Sequence, residues 1–184
     1  VVVVTGASGF VGRRLCAALL AAGAAEVRAL DVRAPALRDP PAVSDENNDE
    51  EEEERIAALV ADPRVHYIQA DLGETESEAA IDAAVCGVGM VFHLASYGMS
   101  GGEMLSRGDR IERVNVGGTR RLLERCRARG VARLVYTSTY NVVFAGQPIR
   151  EGREADLPYA SAAADRYGRS KAAAERLLLA PAGA

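Results

Sequence analysis

The segment Thr5-Gly6-Ala7-Ser8-Gly9-Phe10-Val11-Gly12 is what most narrows the folds open to this chain. It follows the apolar run Val1 to Thr5, which reads as a buried strand. It leads into a stretch of helical period in which Val11, Leu15, Leu19 and Ala22 mark the inner face, Arg13 and Arg14 turn outward, and Gly23 closes the helix. A strand that turns directly into a helix needs a tight bend, close approach of any ligand to the backbone, and close helix–sheet packing, and a Cβ obstructs each of these. Backbone N–H groups and the positive helix end at such a turn can hold a pyrophosphate. Glycines in this pattern can also serve as a turn and nothing more; the flanking strand and helix supply the ligand-binding context. Gly6, Ser8, Gly9, Phe10, Val11 and Gly12 are therefore candidate binding residues.

Further along, short β-branched or apolar runs alternate with longer helical segments: Val27 to Asp31, Val65 to Ala70, Met90 to Ala95 and Leu134 to Ser138 read as strands. That alternation predicts an α/β fold, a Rossmann-like doubly wound parallel sheet occupying residues 1–184 as one domain. A chain of 184 residues with 48% hydrophobic content can bury one core, which argues against a disordered or fibrous protein. The interval 38–54 breaks the rhythm, with Pro40-Pro41 and then Asp45 to Glu54 almost entirely acidic or amide. It reads as a solvated insertion leading into a short helix near Ile56 to Val60, or alternatively as an acidic docking loop.

The net charge of -4 and the scattered basic residues argue against nucleic acid as partner. No apolar run is long enough to span a bilayer, and Val1 to Val4 is too short for a signal-peptide core. Cys16, Cys86 and Cys126 read as reduced core residues of a cytoplasmic or cytosol-facing protein. With His66 and His93 the only histidines, and no ligand spacing around them, no metal site is expected. The start without Met and the ending after the helix-like Ala172 to Leu179 lead to the expectation of a partial sequence.

Asp31 ends the second strand about 20 residues after the last glycine of the turn, where a carboxylate accepts from both ribose hydroxyls of an adenosine and repels a 2′-phosphate. This favours NAD over NADP, although a strand-end turn role would also suit an aspartate, and Arg33 lies close. Asp71-Leu72 follows the third strand and could reach an adenine; Asp71 with Glu74 equally resembles a helix-capping box. Tyr167 and Lys171 stand four apart in a helix-forming segment, so both project from one face. A free tyrosine hydroxyl ionises near pH ~10, too high for a base at neutral pH, but an adjacent ammonium favours the phenolate. The pair is common on helices, and it is the company of the glycine turn that makes it a catalytic candidate. Thr137-Ser138-Thr139 brings hydroxyls to the carboxyl end of the fifth strand, where α/β sheets place ligands, though any of them could simply end the strand. Asn115 shares a helical face with Thr119, Leu122 and Cys126, either as a buried structural amide or as part of a proton relay.

Together the Thr-Gly-x-x-Gly-x-x-Gly turn, Asp31, Asp71-Leu72, Asn115-Val116-x-Gly118-Thr119, Tyr136 to Thr139 and Tyr167-x-x-x-Lys171 resemble the extended short-chain dehydrogenases/reductases across nearly the whole chain. Within them, His93 to Gly101 and Tyr136 to Phe144 resemble the 3-beta-hydroxysteroid dehydrogenase/isomerase family, and most of all its short-chain dehydrogenase/reductase family 42E members. The resemblance implies Tyr167 as proton acceptor, Lys171 bridging cofactor ribose and tyrosine, and Thr139 beside the substrate oxygen, with Ser138 as second choice. It also implies Leu94, Ala95 and Ser96 against NAD, and interconversion of a secondary alcohol and a ketone on a steroid or similar hydrophobic substrate. Dimerisation through helices beside the sheet, and membrane anchoring by a segment beyond this sequence, are further family habits it implies. Two other readings remain open: a nucleotide-sugar epimerase or dehydratase using the same site, and a sensor or scaffold that binds NAD without turnover. Relatives often carry serine where Thr139 stands, and the acidic Asp45 to Glu54 stretch is atypical of the family.

Overall fold

The computed structural model describes residues 1–33, 49–98, 108–144, 146–159 and 165–180. Five strands form one sheet: β1 (Val2–Thr5), β2 (Val27–Asp31), β3 (Val65–Gln69), β4 (Met90–His93) and β5 (Arg133–Tyr136). All neighbours are parallel, in the order β3-β2-β1-β4-β5. The chain moves outward from β1 to β3, then returns to the other side of β1. The order therefore reverses between β1 and β4, the place where sheets of this kind open a crevice beyond their carboxyl ends. The fold class expected from the alternation of elements is the one observed.

Helices cover both faces. Helix α1 (Phe10–Ala21) and α2 (Asp49–Ala61) lie on one side, where Cys16, Leu20 and Leu59 pack on Val4, Val27, Ala29 and Val65. On the other side α3 (Glu78–Val85), α4 (Gly108–Glu112), a π-helical turn over Arg113–Gly118, α5 (Thr119–Ala128) and α6 (Arg166–Leu179) follow in chain order. Here Ile81, Ala84 and Val85 of α3, with Leu122 and Cys126 of α5, close over Val3, Leu30 and Val91. Adjacent residues Val3 and Val4 enter opposite layers, as the period of a strand requires.

Several expectations are corrected. Leu15 and Leu19 pack against the core as expected, but the buried face of α1 is Gly12, Arg13, Cys16 and Leu20, while Val11 is 58% exposed and Ala22 is exposed. Gly12 packs onto the turn and sets the rotation of the helix, which carries Arg13 inward; its guanidinium donates to the Ser8 carbonyl at 2.7 Å. Cys16 and Cys126 are buried but Cys86 is exposed, since it stands just past the last turn of α3. Burial pushes the Cys16 thiol up to about 12 and the Cys126 thiol up to about 11, which keeps both unreactive. The helix expected over Ile56 to Val60 begins at Asp49, within the acidic stretch, because glutamate is a good helix former. Residues 38–48 of that interval lie outside the described residues. No helix among the described residues is long and apolar enough to cross a membrane.

Arg28 fastens the far end of the sheet to α3. Its guanidinium donates to the carbonyls of Ala83, Ala84 and Cys86 at 3.2, 2.8 and 2.7 Å, capping a helix terminus whose carbonyls lack intrahelical donors. Replacing Arg28 with Met should lower unfolding free energy by about 1–3 kcal/mol, the range for a lost charged hydrogen-bonding group; urea denaturation measures it, and an unchanged midpoint would contradict the capping role.

Candidate active site

The glycine turn closes on the β1–β4 crevice. Gly6 has φ of +69°, and a Cβ there would lie 2.8 Å from the Ala95 nitrogen. A Cβ on Gly12 would lie 2.1 Å from the Gly6 carbonyl oxygen. Neither position admits a side chain, so the first turn of α1 sits directly against the strand end. Beside it opens a cleft of about 630 Å³ lined by Gly6, Gly9, Asp31, Asp71, Leu94, Ala95, Ser96 and Tyr97, with Arg33 and Arg110 at its polar margin. Of the other turn residues, Ser8 is buried and donates its hydroxyl to the Arg33 carbonyl at 2.9 Å. Phe10 is 64% exposed on the first turn of α1, with Arg14 stacked 3.7 Å from its ring centroid.

Asp31 is anchored through both oxygens, accepting from the Ser8 N–H at 3.0 Å and the Arg33 N–H at 3.2 Å. Each oxygen keeps a second lone pair for a ligand hydroxyl. Asp71 accepts from the Gly73 N–H at 2.8 Å. The capping-box alternative is corrected: α3 starts at Glu78, and Glu74, at the start of the short 3-10 turn Thr75–Ser77, makes no capping bond with its side chain. Leu72 is buried beneath Gly118. A cradle that a Cβ would fill, a helix N-terminus and an anchored carboxylate fit a dinucleotide.

Behind the cleft runs a row of residues paired across the sheet: Thr5 is opposite His93, and His93 is opposite Tyr136. The Thr5 hydroxyl lies 2.7 Å from His93 Nδ1, and His93 Nε2 lies 2.8 Å from the Thr119 hydroxyl. Thr119 has one hydroxyl hydrogen and donates it to the Asn115 carbonyl at 2.6 Å. It must then accept from His93, which fixes the Nε2–H tautomer and leaves Nδ1 to accept from Thr5. Thr5 in turn accepts from the Ala95 N–H at 3.1 Å. One directional chain of hydrogen bonds thus joins the loop after β4 to the π turn.

Asn115 carries the connection onward. Its side-chain oxygen accepts from the Tyr97 N–H at 2.8 Å, and its amide donates to the Tyr97 carbonyl and the Ser170 hydroxyl, both at 2.9 Å. Ser170 donates to the Tyr167 carbonyl at 2.8 Å. Both amide hydrogens are committed to these partners, so the structure places Asn115 as a joint between the β4 loop and α6.

Helix α6 begins where Asp165 accepts from the Gly168 N–H at 2.7 Å. Tyr167 is buried and lines a smaller cavity of about 190 Å³ with Gly98 and Ile111, next along the chain from the Tyr97 of the larger cleft. Lys171 is 2% exposed; it donates to the Thr137 carbonyl at 2.6 Å and stands 4.1 Å over the Tyr136 ring. Burial brings Lys171 down to about 8, against a smaller upward pull from Glu175. The hydroxyl of Ser138 donates to Glu175. That of Thr139 accepts from the Asn141 N–H at 3.3 Å and donates to no acceptor among the described residues. Sequence reasoning missed Ser170, Tyr159 and Glu175, which meet Asn115 or Ser138 or one another only in the folded chain.

A five-stranded parallel sheet with helices on both faces and a glycine turn at its switch point places the chain in the Rossmann class of folds. Residues 3–184 match the 3-beta hydroxysteroid dehydrogenase/isomerase family, and the chain belongs to it. It is 40% identical over 180 residues to short-chain dehydrogenase/reductase family 42E member 1 of Xenopus laevis, covering 97% of this chain and 39% of that protein. It is 37% identical over 185 residues to a 3 beta-hydroxysteroid dehydrogenase/Delta 5-->4-isomerase of Mycobacterium tuberculosis, covering 99% and 43%. Among solved structures, the UDP-glucuronic acid 4-epimerase of Bacillus cereus in complex with NAD superposes with a TM-score of 0.69 at 26% identity, covering 96% and 50%. The chain thus spans under half the length of the curated relatives named here.

His93 supplies a pH test of the buried chain. Burial lowers its pKa from 6.5 to about 3, with Lys171 adding a smaller effect. As pH falls below 6.5 the unfolded chain protonates at this residue while the folded one does not, so its contribution to stability shrinks until about pH 3. The stability advantage of the wild type over His93→Gln should narrow across that window in urea denaturation; a constant gap would contradict a neutral buried imidazole.

Proposed function

We propose that the chain is the cofactor-binding and catalytic part of an NAD-dependent oxidoreductase that interconverts a secondary alcohol and a ketone, on a 3β-hydroxysteroid or similar hydrophobic substrate. The observation that carries this reading is the pairing of Tyr167 and Lys171 on α6, with Tyr167 lining the cavity whose Gly98 follows Tyr97 of the switch-point cleft. Gly6, Gly9 and the α1 N-terminus hold a pyrophosphate, Asp31 takes the ribose hydroxyls, and Leu94, Ala95 and Ser96 wall the cleft. NAD, when bound, supplies the hydride acceptor.

The remaining chemistry belongs to the chain. Tyr167 takes the proton of the substrate hydroxyl. Lys171, a cation held at the Thr137 carbonyl one helical turn from Tyr167, would attract negative charge on the tyrosine oxygen and would bridge to a cofactor ribose. Thr139 is better suited than Ser138 to hold the substrate oxygen, since the Ser138 hydrogen is committed to Glu175 and that of Thr139 is not. Ile111 supplies an apolar wall beside Tyr167, in a cavity that Gly98, Asp165 and Arg166 also line.

The likeness to a UDP-glucuronic acid 4-epimerase favours a second reading, the same residues serving a nucleotide sugar. Spectrophotometry of NADH formation with 3β-hydroxysteroids, together with chromatography of the products from nucleotide sugars, separates the two, because an epimerase returns its hydride and accumulates no NADH. Steroid-dependent NADH formation is expected, reduced at least ~100-fold in Tyr167→Phe, the span typical of a lost general base. NAD affinity should be retained in that variant. Turnover of nucleotide sugars alone would replace the steroid reading, and NAD binding without any turnover would point to a sensor or scaffold.

A further inference from the structure

Lys171 is the only lysine in the sequence; the other 21 of its 22 lysine and arginine residues are arginines. It is also the largest fully buried side chain among the described residues. An ammonium group in that position is poorly solvated and must find its compensation in the protein. The groups that face it are the Thr137 carbonyl, the Tyr136 ring, Tyr167 one helical turn earlier, the neutral His93, and Glu175 one turn later. Beyond Glu175, the Arg176 guanidinium turns away and stacks 4.4 Å from the Tyr159 ring centroid. Glu175 is therefore the one negative charge in this set.

Its carboxylate is held from two sides. Ser138, at the end of β5, donates to one oxygen, and the Tyr159 hydroxyl donates to the other at 3.0 Å. Tyr167, Lys171 and Glu175 follow one another at the four-residue spacing that lines side chains along one helix face. We propose that Glu175 is a positioning residue for the Tyr167–Lys171 pair: fixed by Ser138 and Tyr159, it supplies the negative field that keeps the buried lysine protonated. This rests on the catalytic reading of that pair given above. Burial alone drives Lys171 toward the neutral amine, and the Glu175 charge opposes it. The same bond draws the Ser138 hydroxyl away from the substrate side and leaves that place to Thr139.

The lysine can be read directly and without substrate, so that failure of this inference is distinguishable from failure of the assigned activity. The Nζ signal of 15N-lysine-labelled protein, assigned by its loss in Lys171→Met, is followed against pH. In Glu175→Gln, which keeps an acceptor oxygen for one of the Ser138 and Tyr159 hydroxyls and offers its NH2 to the oxygen of the other, the midpoint should fall by about one pH unit or more, as expected when a buried lysine loses a nearby carboxylate. Glu175→Asp, which keeps the charge, should stay within about half a unit of wild type. An unmoved midpoint in Glu175→Gln, or an equal fall in both variants, would overturn the proposal.

Discussion

The buried imidazole of His93 is the hinge on which this architecture turns. A single hydroxyl hydrogen on Thr119 sets the direction of every bond in its chain, from the Ala95 N–H through Thr5, His93 and Thr119 to the Asn115 carbonyl. Thr5, His93, Thr119 and Asn115 are buried, so a reversed or missing bond among them leaves a polar group without water to replace its partner. The chain crosses the switch point of the sheet at the strand ends where the crevice opens. Through Asn115 and Ser170 it reaches the backbone of Tyr167. Cofactor turn and candidate catalytic helix are thereby held in one frame, which is what a reaction between two bound molecules demands.

Electrostatics at the other end of the row follow from the same frame. Tyr136 is opposite His93 on β5, with ring centroids 5.3 Å apart, and carries Lys171 over its own ring. Burial of the Tyr136 hydroxyl, which has no hydrogen-bond partner among the described residues, holds its pKa far above the ordinary value. It remains a neutral phenol beneath the ammonium, and the neutral His93 adds no competing charge. The local field at Lys171 is left to its carbonyl and carboxylate neighbours. An arginine at this point would bring a fixed charge and a planar fork that the Thr137 carbonyl cannot match.

Much of this frame is legible in the sequence, because it depends on local rules. The glycine turn is recognisable from its strand and helix flanks, the parallel sheet from the alternation of elements, and the Tyr167–Lys171 pair from its helical spacing. What escapes are properties set by packing. Gly12 against the Gly6 carbonyl rotates α1 enough to bury Arg13 and expose Val11. The end of α3 one residue before Cys86 exposes that thiol and hands its carbonyl to Arg28. Glu175 meets Ser138, and Asn115 meets Ser170, only after distant segments have been brought together. Asn115 was readable as an inward-facing amide in need of partners; which partners it has depends on the tertiary structure.

The central claim is the direction of the His93 chain, and it can be observed at the nitrogens themselves. The sequence holds two histidines, so 15N correlation spectra of the imidazoles, with His93→Gln for assignment, report each ring nitrogen separately. The account predicts a neutral His93 at pH 7 with Nε2 protonated and Nδ1 bare. A protonated Nδ1, or two nitrogens averaged by rapid tautomer exchange, would contradict it.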